Sequence, residues 1–132
     1  MIFVDTNYFL RFLLKDVELQ HRLAKELFLQ GAEGKVSLFT SVIVIFEIYW
    51  VLTSFYEKEK EKVLKILEKI FDLEFVKIEN KKLLKEALAI YKRANLELED
   101  CYNLALMEKM EIKELKSFDK KLIKQFQNLD FD

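Results

Sequence analysis

The chain is predicted to be an α/β protein, on three observations. Short apolar runs alternate with longer stretches of helical periodicity from one end to the other. The 132 residues include no proline and only two glycines, which disfavours long linkers and Gly/Pro-rich all-β architectures. Apolar residues make up 52%, enough for a chain of this length to bury roughly two-thirds of its unfolded surface in one core. Strands that alternate with helices pair in parallel through right-handed crossovers. The expected architecture is a three-layer α/β/α single domain over residues 1–132, with a central parallel sheet of four to five strands.

Each element follows from its local pattern. Ile2-Phe3-Val4 is a continuous apolar run before Asp-Thr-Asn, which predicts a buried strand ending in a helix-capping turn. A first helix then extends to about Leu14. Asp16 is placed to cap a second helix, with Leu19, Leu23, Leu27, Ala24 and Phe28 as its apolar stripe and Gly31 as its stop. Val36 to Phe39 is the second strand, and Thr40 and Ser41 can cap an apolar third helix. A fourth helix, from about Lys58 to Phe71, turns Val63, Leu67, Ile70 and Phe71 inward. Phe75 to Ile78 is the third strand. Asn80 caps a helix with Leu84, Ala87, Leu88 and Tyr91 on one side, and another helix runs from near Glu99 to about Met110. Leu115 to Phe118 is the expected fourth strand, followed by a short helix from Lys120 and a fifth edge strand near Leu129.

Charge and cysteine content narrow the chemistry. A net charge of −1 gives no general basic field, so any RNA contact must come from a local patch. One cysteine, Cys101, and one histidine, His21, exclude a disulfide framework, multi-cysteine zinc sites and two-histidine metal motifs, and fit a reducing cytoplasm. Cys101 is expected in the core and His21 on the surface. The N-terminus lacks the basic start and apolar stretch of a signal peptide. The most apolar run, Ser41 to Leu52, is about half the roughly 20 residues that span a bilayer and contains Glu47, so no membrane association is expected. With two glycines, neither a P-loop nor a dinucleotide fingerprint can be formed.

In an open parallel sheet, ligands bind beyond the carboxyl ends of the strands. That rule selects Asp5, after the first strand, and Asp119, after the expected fourth. Asp100 lies at a helix start, where an anion is favoured, and Glu99 beside it is a rival. Glu47 interrupts a helix that is apolar on nearly every side, so it is expected to be buried, and a buried carboxylate needs a partner. A hard divalent cation is a physical solution, and magnesium or manganese takes such oxygen ligands.

Ile2-Phe3-Val4-Asp5-Thr6-Asn7, Glu47 in its apolar helix, Leu98-Glu99-Asp100-Cys101-Tyr102 and Ser117-Phe118-Asp119, in this order, resemble the PIN-domain nucleases. The short stand-alone form is similar to the VapC-like toxins of toxin-antitoxin pairs. The resemblance covers Ile2 to about Lys121. It implies a magnesium- or manganese-dependent ribonuclease acting on single-stranded or structured RNA. Asp5, Glu47, Asp100 and Asp119 match the family's acidic set, as catalytic residues and metal ligands. Thr6 and Ser117 match its hydroxyl positions, and these two with Asn7 are expected to support the acids. The resemblance also implies an antitoxin protein as partner and a homodimer, with Phe55, Tyr56, Tyr8 and Phe12 as a possible partner-binding groove. Zinc-binding cysteines and long extensions of ribosomal-RNA-processing relatives are absent. A PIN-like RNA- or protein-binding module without catalysis, and an RNA-processing nuclease outside toxin-antitoxin systems, are the alternative readings.

Arg11 and Lys15, spaced i, i+4 on the first helix, are expected to share a face and hold RNA phosphates. Asn103, one turn beyond Asp100, is a further candidate for substrate contact.

Overall fold

A computed structural model describes residues 1–129. Their chain forms two compact units, one from Met1 to Lys81 and a second beginning at Lys82. The first holds a three-stranded parallel sheet in the order β1 (Ile2–Phe3), β2 (Leu38–Thr40), β3 (Val76–Ile78). Ile2 pairs with Leu38, and Leu38 with Val76. Seven α-helices are present among the described residues, so the α/β class stands.

The sheet is smaller than the four to five strands expected. Leu115 to Phe118 forms no strand, because its side chains do not enter a core: only Leu115 and Ser117 are half-buried, and Phe118 is fully exposed. The expected strand near Leu129 reaches beyond the described residues. β1 also departs from expectation. It is an edge strand with both residues exposed, and burial begins at Val4.

In the first unit α1 (Thr6–Leu14) packs against α2 (Glu18–Ala32) and α3 (Val42–Trp50). Phe28 of α2 joins them to the sheet region, with ring centroids 5.5 Å from Phe9, 4.9 Å from Phe12 and 6.1 Å from Phe75. Edge-on and tilted aromatic pairs of this kind add to what area burial alone supplies. Gly31 does not stop α2, as its residue type suggested. It lies within the helix, where a Cβ would stand 2.6 Å from Leu38 Cδ1 and 3.1 Å from Phe75 Cδ2, so glycine is what lets α2 approach β2. The chain turns two residues after the helix, at Gly34, with φ of +78°.

The stripe of α2 is narrower than its leucines imply, since Leu19 and Leu23 are exposed while Ala24 and Phe28 are buried. Nor does Asp16 cap it: Val17 occupies the N-cap, without a side-chain bond, and Asp16 is engaged elsewhere. Ser41 caps α3 as expected, its Oγ accepting from the Val44 amide at 3.2 Å. Thr40 is fully buried and donates to the Val4 carbonyl at 2.8 Å, tying the ends of β1 and β2 together just before α1 and α3 begin.

α3 continues into a single π-helical turn, Val51–Phe55. There Thr53 Oγ1 donates to the carbonyls of Tyr49 and Trp50, diverting the backbone pattern. α4 (Lys60–Phe71) then buries Val63, Leu67, Ile70 and Phe71, the four positions its periodicity selects. In the second unit α5 (Lys81–Arg93) buries Leu84, Ala87, Leu88 and Tyr91, α6 (Leu98–Lys109) buries Cys101, Leu104 and Ala105, and α6 packs against α7 (Lys120–Gln127). No helix among the described residues is long and apolar enough to cross a membrane.

Candidate active site

In the first unit the acids expected to act are Asp5 and Glu47. Asp5 occupies the N-cap of α1 with extended backbone, yet its side chain makes no capping bond. Only its carbonyl is used, accepting from the Tyr8 amide at 3.2 Å. The carboxylate is therefore exposed and uncommitted at the carboxyl end of β1, where the strand-end rule places it. Thr6, the next residue, is buried, and its Oγ1 has no hydrogen-bond partner among the described residues. Such a buried hydroxyl without a partner is costly unless it serves a site.

Glu47 corrects the expectation of burial. It is exposed, and so are Ile43 and Trp50, at 75% and 62%. These three are spaced four and three apart, so they form one outward face of α3, while Val44, Ile45, Ile48 and Tyr49 fill the core. The composition of the helix hid this face, because its exposed residues are apolar on either side of the acid.

In the second unit Asp100 is half-buried in the first turn of α6, and its carboxyl is held above the usual carboxylate range. Burial is the main cause, followed by the negative charges of Asp119 and Glu97. Glu99 is raised as well, first by burial and then by Glu97, with Asp100 adding to it and its own backbone amide opposing. Asp119 is thus near enough to Asp100 to repel it. Its own role is partly structural: at the N-cap of α7 its Oδ1 accepts from the amides of Lys121 at 3.0 Å and Leu122 at 3.2 Å. Ser117 Oγ accepts from the Asp119 amide at 3.0 Å and fixes that turn. Asp119 ends no strand, since Leu115 to Phe118 is not one, and the turn and cap replace the strand end that was expected to position it. Asn103 is exposed on α6, one turn from Asp100.

Arg11 and Lys15 do not share a helix face. Lys15 is the C-cap of α1 in the left-handed conformation, φ 56°, so it has left the helix before its side chain could align. Arg11 is bound into a network that periodicity could not foretell: Nη1 donates to both oxygens of Asp16 at 3.1 Å and to Tyr56 Oη at 3.0 Å, and Nε donates to Gln20 Oε1 at 2.8 Å. Tyr56 in turn donates to Asp16 Oδ2 at 2.9 Å. Desolvation is the largest single influence on Asp16, but the bond from Tyr56 and the charge and bonds of Arg11 outweigh it and leave the carboxyl below its ordinary range. His21 is half-buried instead of solvent-facing, stacked on Phe12 at 6.0 Å with Nδ1 3.1 Å from the Arg11 carbonyl.

Among the described residues no three His, Cys, Asp or Glu side chains are gathered closely enough to hold a metal ion. The donors present are carboxylate oxygens and hydroxyls, the chemistry that hard divalent cations take. That donor chemistry is the kind a hard divalent cation takes, and not that of soft or thiophilic metals.

A short-stranded parallel α/β protein with carboxylates at the β1 end and at two helix starts is the class that these observations define. The PIN domain family model matches residues 2–129, and the chain belongs to that family. It is also 28% identical, over 124 residues, to a VapC ribonuclease of Aquifex aeolicus (strain VF5), with 94% of this chain and 91% of the relative covered. No solved structure matches significantly.

Proposed function

We propose that the protein is a divalent-metal-dependent endoribonuclease that cleaves single-stranded or structured RNA, and that it is the toxin of a toxin-antitoxin pair. The match to the PIN domain from residue 2 to residue 129 carries this reading. The likeness to a VapC ribonuclease over nearly the whole of both chains supports the choice of RNA and of the toxin class. Asp5, Glu47, Asp100 and Asp119 are the residues assigned to magnesium or manganese and to catalysis, with Thr6, Asn7 and Ser117 in support. When bound, the metal supplies an activated water and stabilisation of the leaving oxygen.

The chain's own residues have distinct tasks. Asp5 offers a carboxylate that no capping bond occupies. Asp100 is kept in a half-buried, repulsive setting that a cation relieves. Asp119 keeps Oδ1 on the α7 amides, which orients the remaining oxygen. The reading places the protein in the cytoplasm as a homodimer, inhibited by an antitoxin. The exposed apolar residues Ile43, Trp50 and Phe55 supply surface for such assembly.

The deciding measurement is cleavage of labelled single-stranded RNA in magnesium or manganese, with EDTA as control. Metal-dependent internal cuts are expected. Intact RNA under all these conditions excludes the nuclease reading.

A further inference from the structure

At the side of α1 lies a pocket of about 300 Å³ lined by Asn7, Tyr8, Arg11, Gln20 and Leu23. Its groups are prepared for a ligand. The Tyr8 side chain, 40% exposed, makes no hydrogen bond or ring contact among the described residues, and the Asn7 amide has no partner there either. Gln20 is oriented from behind: its Oε1 receives Arg11 Nε at 2.8 Å, so its NH₂ group is left to donate. Arg11 is itself fixed through Nη1 by Asp16 and Tyr56, which leaves its Nη2 without a partner among the described residues. The pocket thus offers an open aromatic ring on Tyr8 together with donors on Gln20 and Arg11 that are oriented by their contacts with each other, Asp16 and Tyr56.

The size is at the lower end for ligand pockets, suited to one ring system. Among the described residues of the lining Leu23 is the only aliphatic wall, so the lining does not match an amphipathic partner helix, which needs a run of apolar anchors. Unstacked RNA bases are bound by this combination: an aromatic face for the ring and amide or guanidinium groups for its edge. Tyr8 lies only about 4.5 Å along the helix axis from Asp5, at 1.5 Å per residue. A base held there would lie against the first turns of the helix that Asp5 begins.

We propose that the pocket receives one unstacked nucleobase of the substrate RNA, stacked on Tyr8 and hydrogen-bonded at its edge by Gln20 and Asn7. The inference rests on the nuclease reading and gives it a site of base selection.

The test is equilibrium binding, in EDTA, of a short mixed-sequence single-stranded RNA in which each base in turn is replaced by an abasic site. Wild type, Tyr8→Leu and Gln20→Leu are compared. Wild type is expected to show one position whose loss weakens binding roughly tenfold, in line with the contribution of one stacked base. Tyr8→Leu should bind the intact RNA roughly tenfold more weakly and lose the distinction of that position. Gln20→Leu should lose less, by an amount that depends on which base occupies the position.

A flat scan in wild type, or an unaltered scan in both variants, overturns the assignment. RNA affinity that both substitutions leave unchanged, together with protection of Tyr8 by a co-purified protein, assigns the pocket to a protein occupant instead. The same RNAs incubated with magnesium separate the two levels of inference. Cleavage with a flat scan removes the pocket and keeps the nuclease, whereas a stepped scan without cleavage does the reverse.

Discussion

Asp5 and Asp119 stand at equivalent places, each the extended N-cap residue of a helix, yet their carboxylates are used differently. Asp119 turns Oδ1 onto two amides of α7, with Ser117 bracing the turn, and does what an N-terminal aspartate ordinarily does. Asp5 follows a strand whose end is tied to β2 through Thr40, and its carboxylate leaves the α1 amides alone. The Asp5 carboxylate is thus free of the capping bond that holds Asp119. An acid that caps can still act, but only with the oxygen that remains.

Substituting the two residues sharpens the contrast, beginning with the largest expected effect. Asp5→Asn should reduce RNA cleavage by orders of magnitude while leaving the melting temperature in EDTA nearly unchanged, because no capping bond is lost. Gel assays and thermal melts on one preparation check both halves. Wild-type cleavage by Asp5→Asn would break the comparison at its functional end. Asp119 should divide by substitution: Asp119→Ala removes the cap and costs about 1 kcal/mol, whereas Asp119→Ser keeps a capping oxygen and most of that stability. Both should lose activity. Urea unfolding of the pair decides whether the cap and the chemistry are separable.

The smallest effects concern pH and have opposite signs in the two units. Asp100 has a raised value in the folded state, so the stability it contributes increases as pH falls through that value and is lost above it. In EDTA at neutral pH, Asp100→Asn should raise the melting temperature slightly, and the gain should vanish on acidification. Asp16 is lowered, so its contribution is present above its unfolded value and disappears as pH falls through the folded one. Asp16→Asn should therefore lower the neutral-pH melting temperature, and again the difference should close in acid. The effect is small because the Arg11–Asp16 pair is partly exposed, at 21% and 38%. Two shifts of the same sign would refute the electrostatic assignment.

What was legible in the sequence is what depends on local periodicity. The amphipathic helices α4 and α5 bury the positions their spacing selects, and Ser41 caps α3 as its residue type suggests. The class of fold and the position of Asp5 after β1 followed from the same level of pattern. What failed needed knowledge of neighbours. Whether Ile43 and Trp50 face inward cannot be read from an all-apolar helix, and so Glu47 was placed in a core it does not enter. Leu115 to Phe118 has strand composition, but composition does not create an apolar surface to lie on. Gly31 marks a close approach to β2, 7 residues further on, which mimics a helix stop in sequence. The network of Arg11 with Gln20, Asp16 and Tyr56 joins segments up to 45 residues apart, beyond any periodic rule.

The register of the sheet bears on the order of events during folding. Ile2 meets Leu38, 36 residues later, and Leu38 meets Val76, 38 residues later again, so no strand pair can close early or locally. During synthesis β1 must wait for a partner made later, while the neighbouring helices α1 and α2 can already associate. Asp5 takes its place at the end of β1 only once β2 has arrived. A chain ending before Leu38 therefore has the acid without the strand pairing that sets it in place.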